Sequence, residues 1–246
     1  MTVGLGILTR NRPAQVREVL DAVASYDPGV DMRVVLGVDH DPATIDVIWD
    51  YDVIARVVEP VGTGICANRN RLLAELADCE YIALLEDDHK PTCDGWLGRY
   101  VAALQEAVVG VVWRLGDASG PVQHRRGRVC WRPLLGCPLV VMSRLTYDLV
   151  GAWNQAAFGD RYGLDDSEWA YRAYSAGMAG PFRGLWPGLD DAGMSIVDLP
   201  DPPSSDGKSA QQRDAEVNGN LRVQELARLG RSPVHLDNPE AVALVR

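Results

Sequence analysis

The sequence has 246 residues, 47% of them hydrophobic and 24% charged, which suits one large α/β domain with a packed core and excludes general disorder. Acidic side chains outnumber basic ones by 34 to 24, and a net charge of −10 argues against a surface that coats nucleic acid broadly. No apolar run is long enough to span a bilayer, residues 1–12 lack the layout of a signal peptide, and Cys66, Cys79, Cys93, Cys130 and Cys137 form no Cys-x-x-Cys pair, so the expectation is a cytoplasmic protein with free thiols, no membrane partner and no zinc cluster.

Residues 3–8 read as a short strand containing glycines, ending in the polar turn Thr9-Arg10-Asn11-Arg12-Pro13. Val16, Val19, Leu20 and Val23 then recur at helical spacing over 14–25, with Pro13 in the first turn, where its missing N–H costs nothing. Residues 32–38 give a second strand closed by Asp39-His40-Asp41-Pro42, residues 43–49 a short helix, and 53–58 a third strand. Gly62-Thr63-Gly64 opens a loop into a helix over 65–76, and 81–85 form a fourth strand running straight into Glu86-Asp87-Asp88. This alternation predicts an α/β fold with a mostly parallel central sheet and flanking helices. Ligands bind such sheets beyond the carboxyl ends of the strands, and the polar clusters fall there. The second half is less regular: helices over 96–107, 145–152 and 167–176, strands over 108–113 and 134–142, and a charged loop over 117–127. Residues 199–212 are polar and rich in Pro, Ser and Asp, which predicts a mobile loop before a helix over 214–229.

Three segments can carry chemistry. Adjacent carboxylates Glu86, Asp87 and Asp88 repel one another at a strand end, and a hard divalent cation is the simplest offset; a solvated acidic turn is the plainer reading. Alternation along an extended segment puts Glu86 and Asp88 on one side, toward a metal, with Asp87 pointing elsewhere. In Gly163-Leu164-Asp165-Asp166-Ser167-Glu168-Trp169-Ala170-Tyr171-Arg172, Asp165 or Asp166 can simply cap a helix, or stand poised as a general base, and Glu168 with Arg172 makes an ordinary i,i+4 pair. In Gly64-Ile65-Cys66-Ala67-Asn68-Arg69-Asn70-Arg71, small residues allow close backbone approach, and Arg69 or Arg71 can meet phosphate or lie on a helix surface.

Taken in order, these pieces resemble the family-2-like glycosyltransferases of the GT-A fold over roughly residues 1–180. The strand and turn up to Pro13 look like that family's opening strand and Thr-x-Asn-Arg turn, and the strand ending in Asp39 like one whose Asp contacts the nucleotide base. Gly64 through Asn70 resembles its Gly-x-x-x-Ala-Arg-Asn helix start, and Glu86-Asp87-Asp88 its Asp-x-Asp motif with Glu in the first place. Asp165-Asp166 through Arg172 resembles its Glu-Asp helix, with Asp in place of Glu. The resemblance implies a glycosyltransferase domain over 1–198, with a nucleotide-sugar-binding half over 1–89 and an acceptor half over 90–198, followed by the loop, helix and tail of 199–246. It implies a nucleotide-sugar donor, UDP-sugar first among them, lined by Thr9, Arg10, Arg12, Asp39, Asn68, Arg69 and Asp87. It implies Mn²⁺ or Mg²⁺ on Glu86 and Asp88, and an inverting displacement with a catalytic base at Asp166 or Asp165, the alignment favouring Asp166. His89 and His235 are candidates for a further metal ligand, each read more simply as structural or exposed.

The acceptor is open. Arg125, Arg126, Arg128, Trp131 and Arg132 concentrate positive charge and an aromatic in an acidic chain, so a hydroxymethylated base in DNA is one candidate beside a saccharide or small molecule. The same run also reads as a solvated basic loop. Competing readings are a sugar-phosphate nucleotidyltransferase, although Gly4 and Gly6 sit inside a strand and not in a loop after one, and a non-catalytic nucleotide-sugar-binding module.

Overall fold

A computed structural model describes residues 1–39, 41–48, 51–59, 64–115, 119–135, 138–161, 163–189, 196–199 and 209–229. His40, Gly62, Thr63, Asp117, Cys137, His235 and residues 200–208 of the predicted mobile loop lie outside them.

The first half follows the predicted rhythm: β1 (Thr2–Thr9), α1 (Pro13–Ser25), β2 (Asp31–Val38), α2 (Pro42–Ile48), β3 (Ile54–Val58), α3 (Ile65–Glu75) and β4 (Tyr81–Glu86). All its strand pairings are parallel, in the spatial order β3-β2-β1-β4. Thr9 pairs with Val38 and Leu8 with Glu86, so the strands end level and their polar extensions share one edge. Alternation along each strand builds two cores. Val3, Leu5, Ile7, Ala83 and Leu85 meet Val16, Val19, Leu20 and Val23 of α1 on one face. Leu8, Ile82 and Leu84 meet Leu72 and Leu73 of α3 on the other. A Cβ at Gly4 would stand 2.7 Å from Leu76, and one at Gly6 2.9 Å from Leu84 and 3.1 Å from Leu72. These glycines let the α3 layer lie close to the sheet and play no part in a loop.

The second half contains β5 (His89–Pro91), α4 (Trp96–Ala107), β6 (Val111–Arg114), β7 (His124–Arg126), β8 (Val129–Arg132), β9 (Leu139–Ser143), α5 (Arg144–Val150), α6 (Gln155–Phe158), α7 (Asp165–Ser175), β10 (Trp186–Leu189), β11 (Ile196–Asp198) and α8 (Ala210–Arg228). It extends the sheet as β4-β9-β6-β10-β8-β7, and of these pairings only β6 with β10 is parallel. The expectation of a mostly parallel sheet therefore holds for the first half, and the whole sheet is mixed.

Several elements differ locally. Val108 does not open a strand; it ends α4 in a left-handed conformation, φ +56°, exposed to solvent. The charged stretch read as a loop folds from His124 onward into the β7–β8 hairpin, with Gly127 at φ +58° in its turn. Antiparallel β5 and β11 form a small second sheet, and the Leu199 N–H donates to the Asp88 carbonyl at 2.6 Å. This ties the backbone after the acidic triplet to the C-terminal part of the chain.

Candidate active site

The turn after β1 reaches toward the end of β4. Asn11 adopts φ +53°, a left-handed conformation Asn tolerates, and the chain then delivers Arg12 to the acidic triplet. Arg12 Nη1 donates to Asp87 Oδ1 at 2.8 Å and lies 3.5 Å from Asp88 Oδ2. Asp88 also pairs with His89 Nδ1. Burial works against charge on Asp88, but the His89 bond and the charges of His89 and Arg12 hold its carboxyl below the ordinary range. The side chains of Glu86 and Asp88 are 28% and 26% exposed, whereas that of Asp87 is 6% exposed. Asp87 is thus the enclosed one, but Asp87 and Asp88 lie in a turn and share Arg12 Nη1 while Glu86 pairs with Arg69, so the alternation of an extended segment does not describe the triplet.

Beside this turn, buried Asp39 accepts the Gly64 N–H at 3.1 Å and pairs with Arg10 at 3.4 Å. Gly64 has φ +93°, and an added Cβ would come within 2.6 Å of the Gly159 carbonyl, so only glycine fits where α3 begins. Thr9 is buried at the end of β1. Asn68 does not face the cleft: its amide donates to the Gly37 carbonyl at 2.9 Å and pins α3 to β2. Arg71 pairs with Glu75 one turn along at 2.7 Å, as a surface helix residue does.

Arg69 is the hub. It is fully buried, with Nη2 2.7 Å from Glu86 Oε1 and 3.0 Å from Asp166 Oδ2, and Nη1 2.7 Å from Asp166 Oδ1 and bonded to Asp165 Oδ2. Burial opposes charge on the guanidinium, but Asp166, Asp165 and Glu86 outweigh it and fix the positive form. The carboxyls respond differently. Burial pushes Glu86 up to about 8 and Asp166 up to about 6, with Arg69 only partly offsetting it and neighbouring carboxylates adding to it. Burial also lifts the Cys66 thiol beside Asp165 well above its usual range.

Asp165 and Asp166 open α7, where a helix N-terminus favours negative charge. Gly163 at φ +84° and Leu164 at φ +69° make the entry, a left-handed turn costly for leucine. Asn220 of α8 donates to the Gly163 carbonyl at 3.0 Å and holds that turn. The side chain of Asp165 is 6% exposed and that of Asp166 23%. Glu168 and Arg172 form a buried two-pronged pair at 2.9 Å, not a surface one; Arg172 also donates to the Val150 and Ala152 carbonyls at 2.5 and 2.8 Å.

That anchored loop presents Trp153, which sequence reasoning missed. Its Nε1 donates to Asp166 Oδ1 at 3.0 Å, its ring lies 5.3 Å from the Arg69 guanidinium carbon, and it stacks on Trp169 at 4.6 Å. Asn70 clasps its backbone in both directions, at 2.8 and 3.0 Å. No local pattern marks either residue.

The donor set suits a hard cation: Glu86 and Asp88 offer partly exposed carboxylate oxygens at the end of β4. Among the described residues no three His, Cys, Asp or Glu side chains surround one point. The fit is to a cation held by one or two carboxylates and completed by substrate phosphate oxygens, the usual manner of Mg²⁺.

The basic segment is a different matter. Trp131 is buried, donates from Nε1 to the Ala179 carbonyl at 3.1 Å and packs edge-on against Phe182, so it cannot stack on a base. Arg132 donates to the Gly120 carbonyl at 2.6 Å and Arg128 faces Glu106 at 3.4 Å. Arg125 and Arg126 lie exposed on β7, the edge strand, where positive charge deters strand-to-strand aggregation.

A model of the family described as Glycosyl transferase family 2 matches residues 5–161, well over half of the chain. The chain belongs to this family. As a family 2 glycosyltransferase it has the GT-A fold, seen in several solved structures. The mannosyltransferase PcManGT from Pyrobaculum calidifontis, in complex with GDP-Man and Mn²⁺, is 17% identical with a TM-score of 0.63, over 99% of this chain and 72% of that one. TarS 1–349 from S. aureus in complex with UDP is 14% identical with a TM-score of 0.61, over 100% and 70%. Glucosyl-3-phosphoglycerate synthase from Mycobacterium tuberculosis, with Mn²⁺, UDP-Glc and phosphoglyceric acid, is 15% identical with a TM-score of 0.58, over 93% and 80%. No curated protein sequence matches the chain. No helix among the described residues is long and apolar enough to cross a membrane.

Proposed function

We propose that this glycosyltransferase moves a sugar from a nucleoside-diphosphate donor to an acceptor hydroxyl by one inverting displacement, with Asp166 as base. The observation that carries the reading is the contrast between the two aspartates. Arg69 holds both, but Asp165 is 6% exposed whereas Asp166 is 23% exposed while Arg69 and Trp153 fix its carboxylate plane. A base must hold its geometry and still reach a hydroxyl. Asp166 takes the proton from that hydroxyl as the oxygen attacks the anomeric carbon.

Asp88 and Glu86 would hold Mn²⁺ or Mg²⁺, which supplies charge neutralisation for the diphosphate leaving group. Thr9, Arg10 and Asp39 line the end of the parallel strands, where a nucleotide base of a UDP-sugar would lie. Asn68 and Arg69 act from behind this surface, one on the β2 backbone and one on the carboxylates. The acceptor is a saccharide or small hydroxyl compound; the buried Trp131 removes the stacking platform on which a DNA base was considered. The strand-bound glycines of β1 disfavour a nucleotidyltransferase.

UDP-, GDP-, CMP- and dTDP-sugars, each with and without Mn²⁺, test the donor site by thermal shift. A metal-dependent rise with one nucleotide supports it; no rise with any sinks it. Asp166→Asn should keep donor binding and lose transfer by about 10²-fold or more, and retained turnover would remove Asp166 from its role.

A further inference from the structure

We propose that Arg12 is the resident counter-ion of the acidic triplet, and that it makes metal entry depend on a bound nucleoside diphosphate. The inference rests on the reading of Asp88 and Glu86 as the metal-holding pair.

One guanidinium nitrogen of Arg12 serves two neighbours, at 2.8 Å from Asp87 and 3.5 Å from Asp88. A dication bound to Asp88 would sit within a few ångströms of that nitrogen, and like charges at such range repel strongly. Arg69 covers Glu86 in the same way, but it is fully buried and anchored by Asp165 and Asp166, so it stays. Arg12 is held differently. It stands in the turn between β1 and α1, its side chain is partly exposed, and its buried Nε has no protein hydrogen-bond partner. The carboxylates hold the guanidinium by one nitrogen, and its buried Nε adds no second anchor.

A metal ion arriving alone must compete with Arg12 for Asp88. A nucleoside diphosphate changes the balance, because its oxygens accept from the released guanidinium and neutralise the metal at once. Metal and diphosphate therefore bind with positive coupling, and by linkage each raises the affinity of the other by the same factor.

The test measures Mn²⁺ binding alone, by the electron paramagnetic resonance signal of free Mn²⁺, to wild type, Arg12→Gln and the double variant Arg12→Gln/Asp88→Asn. Arg12→Gln should bind Mn²⁺ about tenfold more tightly than wild type, and Asp88→Asn should remove the gain. Equal or weaker binding to Arg12→Gln, no binding to either protein, or a gain that survives Asp88→Asn overturns the counter-ion role. Wild type needs no substitution for the second arm: UDP or GDP should raise its Mn²⁺ affinity at least about tenfold. Nucleotide binding without any change in Mn²⁺ affinity overturns the coupling. If neither nucleotide binds at all, the donor reading fails, and the Mn²⁺-only comparison still decides the role of Arg12.

Discussion

Trp153 lies flat on Trp169, offers its face to Arg69 and gives its N–H to Asp166. These three contacts separate by substitution. Trp153→Phe keeps a ring on Trp169 but loses a hydrogen bond to a charged acceptor, a cost of roughly 1.5–3 kcal/mol. Trp153→Ala also empties a site in the core and should cost about 3–5 kcal/mol. Urea unfolding with an unchanged slope would give both values; a Phe variant as damaged as the Ala variant would mean that the N–H dominates and the stacking contributes little. The acidic triplet, by contrast, was readable from sequence, because a strand end followed by three carboxylates is a local pattern. Asp165 and Asp166 were readable only as alternatives, since Arg69 holds both and they differ in how far the fold exposes each, 6% against 23%. With seven tryptophans in the chain, nothing local distinguishes Trp153; its importance arises where α3, the 150–153 loop and α7 meet.

The entry to α7 is a strained turn that other elements hold in place. Leu164 at φ +69° costs of order 1–3 kcal/mol, and it sits directly before the two aspartates. Asn220 offsets that strain from outside: its amide donates to the Gly163 carbonyl, and its oxygen lies 3.4 Å from Arg161 Nη1. Asn220 is itself fully buried. Asn220→Ala should therefore destabilise by about 1–3 kcal/mol and speed hydrogen exchange at the amides of residues 163–166 more than elsewhere. Uniform loosening would instead mean that α8 acts only as general packing. The helix itself was visible in the sequence, though its start lies four residues earlier than expected. Its docking was not, because the contact that matters is one buried amide with no periodic signature. For the strand β10 no element was expected, since Pro187 and Gly188 are residue types depleted in strands. Yet Gly188 is required inside the sheet, where a Cβ would stand 2.9 Å from the Trp113 carbonyl and collide with Leu115.

Across the whole molecule, the parallel half was legible and so were the main helices of the mixed half, whereas its three-residue strands β5, β7 and β11 were not, being too short to show alternation. The two halves meet over the carboxylates, and that meeting has a consequence for stability against pH. In the metal-free chain Glu86 is pushed up to about 8 and Asp166 to about 6, mainly by burial, and Asp87 is also raised by burial despite Arg12. Each therefore holds its proton more tightly folded than unfolded. Their contribution is fully present near pH 4, and is lost as pH rises through 6 and then 8. Asp88 runs the other way, but its carboxyl lies below the usual range and stays ionised across this window. The metal-free protein should thus melt at a lower temperature at pH 8 than at pH 5.5. Glu86→Gln should flatten the upper part of that slope, because it removes the group that titrates last. Under the proposed metal role Mn²⁺ would bind the ionised carboxylates, so with a nucleoside diphosphate present it should raise the melting temperature more at pH 8 than at pH 5.5. A melting temperature that climbs steadily from pH 5.5 to pH 8 without metal would show that the carboxylates are already ionised, and that Arg12 and Arg69 alone neutralise the cleft.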